Sequence, residues 1–161
     1  MVQRIPMSKT GHAKLRKELD QLNRVERHEI IKAIEVAREH GDLKENAEYH
    51  AAKERQSFVE GRMMELKDKL GRAEVIDCTN LKCDKVVFGT VVTLVDLDTD
   101  DEVRYQLLGP EEADMKSNRI SVLSPLGGAM LGKSVGDDVT VNTPGGVRQL
   151  EVLAISRPEE A

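Results

Sequence analysis

The chain has 161 residues, a formal net charge of −5, 33% charged residues and 39% hydrophobic residues. That is enough for one compact domain or two small ones, and too apolar for a disordered chain. With 2% aromatic residues and no Trp, it lacks the stacking platforms of a single-strand base reader, and its acidic balance argues against a free-standing duplex binder.

The absence of an 18-residue apolar run and of a signal-peptide pattern leads us to expect a cytoplasmic protein without a membrane span. The charge is unevenly spread. Residues 1–77 hold 16 Lys/Arg and 15 Asp/Glu, a net of +1, and residues 78–161 hold 8 and 14, a net of −6. The even mixture suits a solvated helical arm, and the acidic half suits docking on a basic or mixed protein surface.

Residues 1–7 read as an extended lead-in ended by Pro6, with Ser8 or Thr10 as the cap of a helix that runs to about His40. Leu15, Leu19 and Leu22 keep one stripe, Val25 shifts its phase, and Ile30, Ile31, Ile34 and Ala37 resume it. Gly41 supplies the left-handed residue that closes helices. A second helix is expected from about Glu45 to Ala73, its stripe being Ala47, Ala51, Phe58 or Val59, Met63, Leu66, Leu70 and Ala73, in heptad steps from Val59 onward. Two antiparallel helices of about 30 residues make an arm of roughly 45 Å. The small residues near its end predict a slender tip.

From residue 74 the period changes to two. Strands are expected at 74–77, 86–88, 90–97, 102–108, 120–122, 138–142 and 147–155, with a polar linker at 79–85 and a short helix over 126–133. Turns fall at 98–101 and at Thr143-Pro144-Gly145-Gly146. The fold class predicted is α+β: an antiparallel coiled coil over residues 1–77 and an antiparallel-sheet domain with a short helix over 78–161. Cys78 and Cys83, without a second pair or a nearby His, make no zinc site and read as reduced thiols.

The chemistry concentrates between the two helices. Asp42 and Glu45, three apart, fit a capping box for the second helix. The same pair offers hard oxygen ligands suited to Mg²⁺, but only part of a coordination shell. A tip carrying half a metal site implies a partner carrying the other half. His40 and His50 flank this segment without the i, i+4 His spacing of a metal site. Arg38, Lys44, Lys53 and Arg55 surround it, as a solvated face, as neutralising partners of the acidic pair or as contacts to a phosphate backbone.

The run from Glu35 to Glu54 (EVAREHGDLKENAEYHAAKE), with Glu60-Gly61-Arg62, closely resembles the tip of bacterial Gre factors, the GreA/GreB family. Ser121-Val122-Leu123-Ser124-Pro125-Leu126-Gly127 with Ala129-Met130-Leu131 and Gly136-Asp137 resembles that family's C-terminal signature. Ile5-Pro6-Met7 and Thr143-Pro144-Gly145-Gly146 also fit. The resemblance implies a coiled coil inserted through the secondary channel of bacterial RNA polymerase and an FKBP-like C-terminal domain docked on the channel rim. It implies that Asp42 and Glu45 help hold a second Mg²⁺, shared with polymerase carboxylates and not tightly bound by this chain alone. They would also position the water with which the polymerase hydrolyses backtracked RNA at its 3′ end. Asn46 and Tyr49 would orient RNA or the loop, and Arg38, Lys53 and Arg55 would face the transcript. Ile120, Ser121, Ser124, Pro125, Leu126 and Gly127 would form the docking region.

On this reading the chain is not itself an enzyme and is expected to be a monomer. The runner-up is a Gre-like channel regulator that binds polymerase without promoting cleavage. A prolyl isomerase, which needs an aromatic-lined pocket, is discounted because residues 78–161 offer only Phe88 and Tyr105.

Overall fold

A computed structural model describes residues 3–41 and 46–158. The fold is α+β, as predicted, and divides into a helical unit, His12–Arg72, and a sheet unit made of Met1–Gly11 with Ala73–Ala161. This boundary differs from the division at residue 77/78 expected from sequence. The physical reason is a strand pairing between distant parts of the chain. β1 (Ile5–Ser8) and β2 (Ala73–Ile76) form a parallel two-stranded sheet in register Ile5↔Ala73 to Ser8↔Ile76. Pro6 therefore lies inside a strand instead of ending a lead-in, which a two-stranded sheet tolerates because its edges need no donor.

In the helical unit, α1 (Lys9–Gln21) passes through a π-helical turn (Leu22–Glu26) into α2 (Arg27–Arg38), and α3 (Ala47–Gly71) returns alongside. The π turn explains the phase shift at Val25. Its wider winding absorbs one extra residue, so the stripe of Leu19 and Leu22 meets Ile30 on the same side. Ile30, Val59 and Met63 form the buried centre, with Leu19, Leu22 and Ile34 packed against them. Interhelical partners such as Glu18 with Arg62 and Arg27 with Glu60 rise in number on one helix as they fall on the other. The hairpin is therefore antiparallel.

The stripe of α3 differs from expectation near its start. Ala52 is buried and Ala47 and Ala51 are exposed. Continuing the heptad back from Val59 lands seven residues earlier on Ala52, so the small residue facing the partner helix is that one. Between the two candidates Phe58 and Val59, Val59 is inside and Phe58 is 72% exposed. Ile31 also faces out, at 41%.

In the sheet unit five strands follow the order β5-β4-β3-β7-β6. They are β3 (Val91–Asp96), β4 (Glu102–Leu108), β5 (Arg119–Ser121), β6 (Asp138–Thr143) and β7 (Gly146–Ser156). All neighbours are antiparallel except β4 and β5, which run parallel. The inward residues Val92, Leu94, Leu107, Ile120, Val139, Leu150 and Val152 pack with Met130 of α4 (Pro125–Met130).

Two expected features are altered. Residues 86–88 form no strand; Val86 is buried in an irregular segment, where its N–H donates to the Lys133 carbonyl and its carbonyl accepts from Gly132, both at 2.8 Å. The 79–85 segment is also tied into this unit, since Leu81 is buried and its carbonyl accepts from Arg157 Nε at 2.9 Å.

Candidate functional site

In the sequence α2 and α3 are connected through residues 39–46. Asp42 and Glu45, with Lys44, lie outside the described residues. On the α2 side, the N–H groups of Glu39 and His40 donate to the carbonyls of Val36 and Ala37 at 3.2 and 3.1 Å, and Gly41 has φ +109°. That conformation favours glycine and ends the helix.

On the α3 side the cap is Asn46. Its Oδ1 accepts the Tyr49 N–H at 3.1 Å, which satisfies one of the orphan donors of a helix start. Its Nδ2 donates across the hairpin to the Ala37 carbonyl at 2.6 Å. One side chain thus starts α3 and ties it to the last turn of α2. The described start of α3 therefore differs from the expected Asp42/Glu45 capping box. The helix begins at Ala47, and both carboxylates precede its cap. Asn46 was expected only as a motif residue that orients RNA or the loop; its spacing to Tyr49 is the signal from which its capping role can be read.

The other tip candidates separate by position. Tyr49 is half-buried and packs edge-on against His50, ring centroids 5.6 Å apart. Arg38 is exposed at the end of α2. Lys53 is exposed one turn further along α3, its Nζ donating to Gln56 Oε1 at 3.1 Å. Arg55 is engaged further down the hairpin. Its guanidinium donates to Glu26 at 2.5 Å and lies 3.6 Å from Glu29, and the Glu26 hydrogen bond holds its pKa above the ordinary value. At about 1.5 Å per residue it sits roughly 14 Å from Asn46. The structure thus brings Arg38, Asn46 and Tyr49 together at the hairpin's end, with Lys53 a turn away and Arg55 set apart. Below Arg55, Arg62 grips Glu18 with two hydrogen bonds of 2.7 and 3.0 Å, a fork that charge patterning alone did not single out.

The C-terminal candidates also converge. Ile120, Ser124, Pro125 and Leu126 line an open hollow of about 450 Å³ with Met115 and Val141. Ser124 caps α4, its Oγ accepting the Gly127 N–H at 3.1 Å and donating to the Ser121 carbonyl at 2.6 Å. Gly127 is buried so closely beneath Ser121 that a Cβ there would collide with the Ser121 carbonyl. Ser121 and Gly127 lie behind the lining residues, Ile120 belongs to the buried core, and Pro125 is exposed with Ser124 and Leu126 half-buried.

Among the described residues no group of three or more His, Cys, Asp or Glu is placed to hold a metal ion, and no helix is long and apolar enough to cross a membrane.

The helical hairpin and the mostly antiparallel sheet unit each match the model of a protein family. Residues 5–75 match the family described as "Transcription elongation factor, N-terminal", and residues 81–157 match "Transcription elongation factor, GreA/GreB, C-term". The chain belongs to the GreA/GreB family. It is 66% identical to the transcription elongation factor GreA of Desulfotalea psychrophila, with 96% of each chain covered. It is 52% identical to the GreA of Thermodesulfovibrio yellowstonii, over 97% of this chain and 99% of that relative. A crystal structure of GreA factor homolog 1 from Thermus thermophilus is 30% identical over 95% of this chain and 99% of that one, with a TM-score of 0.44.

Proposed function

We propose that this chain is a transcription elongation factor that enters the secondary channel of bacterial RNA polymerase and stimulates the polymerase's own cleavage of backtracked RNA. The observation that carries this reading is the closed hairpin end. Antiparallel α2 and α3 are tied by Asn46 to Ala37 around the one short segment that contains Asp42 and Glu45. In chain order the acidic pair falls between these two antiparallel helices, and the end of a hairpin is the part best able to enter another molecule's cavity. Membership of the GreA/GreB family supports the same reading.

The donor set fits Mg²⁺ in part. Two carboxylates are hard ligands but leave most of an octahedral shell to be filled by other oxygens. Asp42 and Glu45 would hold the ion jointly with carboxylates of the polymerase. The ion when bound supplies Lewis-acid activation of the water that attacks the RNA phosphodiester. The chain's own residues do the rest by placement. The two carboxylates accept hydrogen bonds from that water and orient it. Arg38 and Lys53 face the transcript's phosphates, and Tyr49 and Asn46 fix the segment that carries the acids. The hollow lined by Ile120, Ser124, Pro125 and Leu126 docks on the channel rim.

The test is a halted, backtracked polymerase complex carrying labelled RNA. The wild-type chain is expected to shorten the RNA, and the Asp42→Asn/Glu45→Gln chain to bind equally well without doing so. Full cleavage by the double variant would refute the assignment. Binding without cleavage by the wild type would make the chain a channel regulator instead.

A further inference from the structure

Ser8 ends β1, and its Oγ accepts the N–H of Gly11 at 3.1 Å, which caps α1. One carboxylate from far along the chain closes a network around it. Glu112 Oε2 accepts the N–H of Ser8 and the N–H of Gly109, each at 3.1 Å, and the Ser8 hydroxyl donates to Glu112 Oε1. The two glycines permit the close approach of these segments. A Cβ on Gly11 would stand 2.6 Å from Glu112 Cδ, inside contact distance, and a Cβ on Gly109 would collide with the Pro6 carbonyl. In the sequence Glu112 falls between the strands expected at 102–108 and 120–122. The structure makes it the acceptor for two backbone donors and a hydroxyl.

We propose that Glu112 is a positioning residue for the cleavage function, latching the first turn of α1 to the loop that follows β4. The proposal rests on the cleavage reading given above. Four residues of the sheet unit, Ser8, Gly11, Gly109 and Glu112, make the latch, and α1 runs from it without a break as Lys9–Gln21 into the helical unit. Hydrogen bonds to an ionised carboxylate are about twice as strong as neutral ones, and a negative group at a helix start is favoured by the helix dipole. Because two of the three donors are main-chain N–H groups, the latch fixes backbone and not merely side chains. The strand pair β1–β2 holds the same point from its other side, through Ser8↔Ile76. Glu112 adds a second tie at the start of α1 to the one that the strand pair provides. A hairpin that must deliver its far end to a reacting phosphate within a fraction of an ångström depends on a fixed root.

The experiment uses the full chain with Glu112→Ala, Gly11→Ala and both together. Gly11→Ala leaves the carboxylate present but displaces it, so it reproduces the loss of the latch with an intact Glu112. In Glu112→Ala and in Gly11→Ala, amide exchange at Ser8 and Gly109 is expected to quicken about tenfold or more, as for loss of a charge-assisted hydrogen bond. Adding Gly11→Ala to Glu112→Ala should change nothing further, because the group it displaces is gone. On backtracked polymerase both single variants are expected to lower the maximal cleavage rate while the concentration for half-maximal effect stays within about twofold. A residue that only stabilises the fold would not split the two in that way.

Unchanged exchange at Ser8 and Gly109 overturns the proposal. So does a Gly11→Ala effect of equal size in both backgrounds, or a wild-type maximal rate in variants whose amides have loosened. Failure of the wild-type chain to promote cleavage would instead sink the reading on which this rests, since exchange and the mutant cycle are measured without polymerase.

Discussion

Asn46 carries two hydrogen bonds that can be removed separately. Asn46→Ala removes both the cap on Tyr49 N–H and the tie to the Ala37 carbonyl. An N-cap is worth about 1 kcal/mol and a typical net hydrogen bond about 1 kcal/mol, so the hairpin's end should loosen by about 2 kcal/mol, or roughly 30-fold in its opening equilibrium. Asn46→Asp keeps an acceptor for Tyr49 but sets a carboxylate against the Ala37 carbonyl, so it should lose the tie and keep the cap. Amide exchange at Tyr49 reads the effect directly. It is expected to quicken roughly 30-fold in Asn46→Ala and by no more than about tenfold in Asn46→Asp. If only the closed end delivers the acidic pair, maximal cleavage falls by up to the same factors in the same order. Equal exchange in wild type and Asn46→Ala would show that the end is held by something other than this side chain, and the reasoning would fail.

Two further predictions follow from the helical register and from the sheet. Deleting Asn23 removes the extra residue of the π turn, so Leu22 and Ile30 come to stand seven apart and the stripe survives as ordinary α-helix; denaturant unfolding should stay cooperative and within about 1 kcal/mol of wild type. Deleting Lys32 from α2 should cost far more in the same measurement, because it turns every later core residue by about 100°. Asp96 accepts the N–H of Asp98 and of Thr99 at 2.9 and 3.4 Å and lies 3.3 Å from Arg148. The Asp98 N–H, then that of Thr99 and the Arg148 guanidinium, hold its pKa below the ordinary carboxylate value. A lowered folded-state pKa stabilises the fold above the unfolded value and is lost as pH falls through the folded one. Thermal melts should therefore lose stability below about pH 4, with a shallower acid limb in Asp96→Asn; identical limbs would contradict this.

The repeating parts of the molecule were legible in the sequence. Leucine and isoleucine at helical spacing marked the hairpin, Ser8 marked a helix start, and the break at Val25 fell inside the π turn. What escaped is non-local. No local pattern shows that Ile5 pairs with Ala73 or that Glu112 reaches Ser8, because those contacts join segments far apart in the chain. Alanine is equally at home inside and outside a helix, so Ala51 and Ala52 were distinguishable only by carrying the heptad back from Val59. Charges flanking a heptad are ambiguous for a similar reason. Arg55 reads equally as a transcript contact or as the partner of Glu26, and the structure supplies the partner. At the candidate site, the order Asp42, Glu45, Asn46 and Tyr49 was readable; the start of α3 at Ala47 differs from expectation because Asn46 is the cap.

The central claim is that this chain lends two carboxylates to an ion that the polymerase holds poorly by itself. The direct measurement is the Mg²⁺ dependence of RNA cleavage in a halted, backtracked complex, with no factor, with the wild-type chain and with Asp42→Asn/Glu45→Gln. The account predicts that the wild-type chain lowers the Mg²⁺ concentration for half-maximal cleavage at least tenfold, as about 1.4 kcal/mol from added ligands would do, and that the double variant leaves it where it stands without a factor. A wild-type chain that speeds cleavage with no change in Mg²⁺ dependence would contradict it.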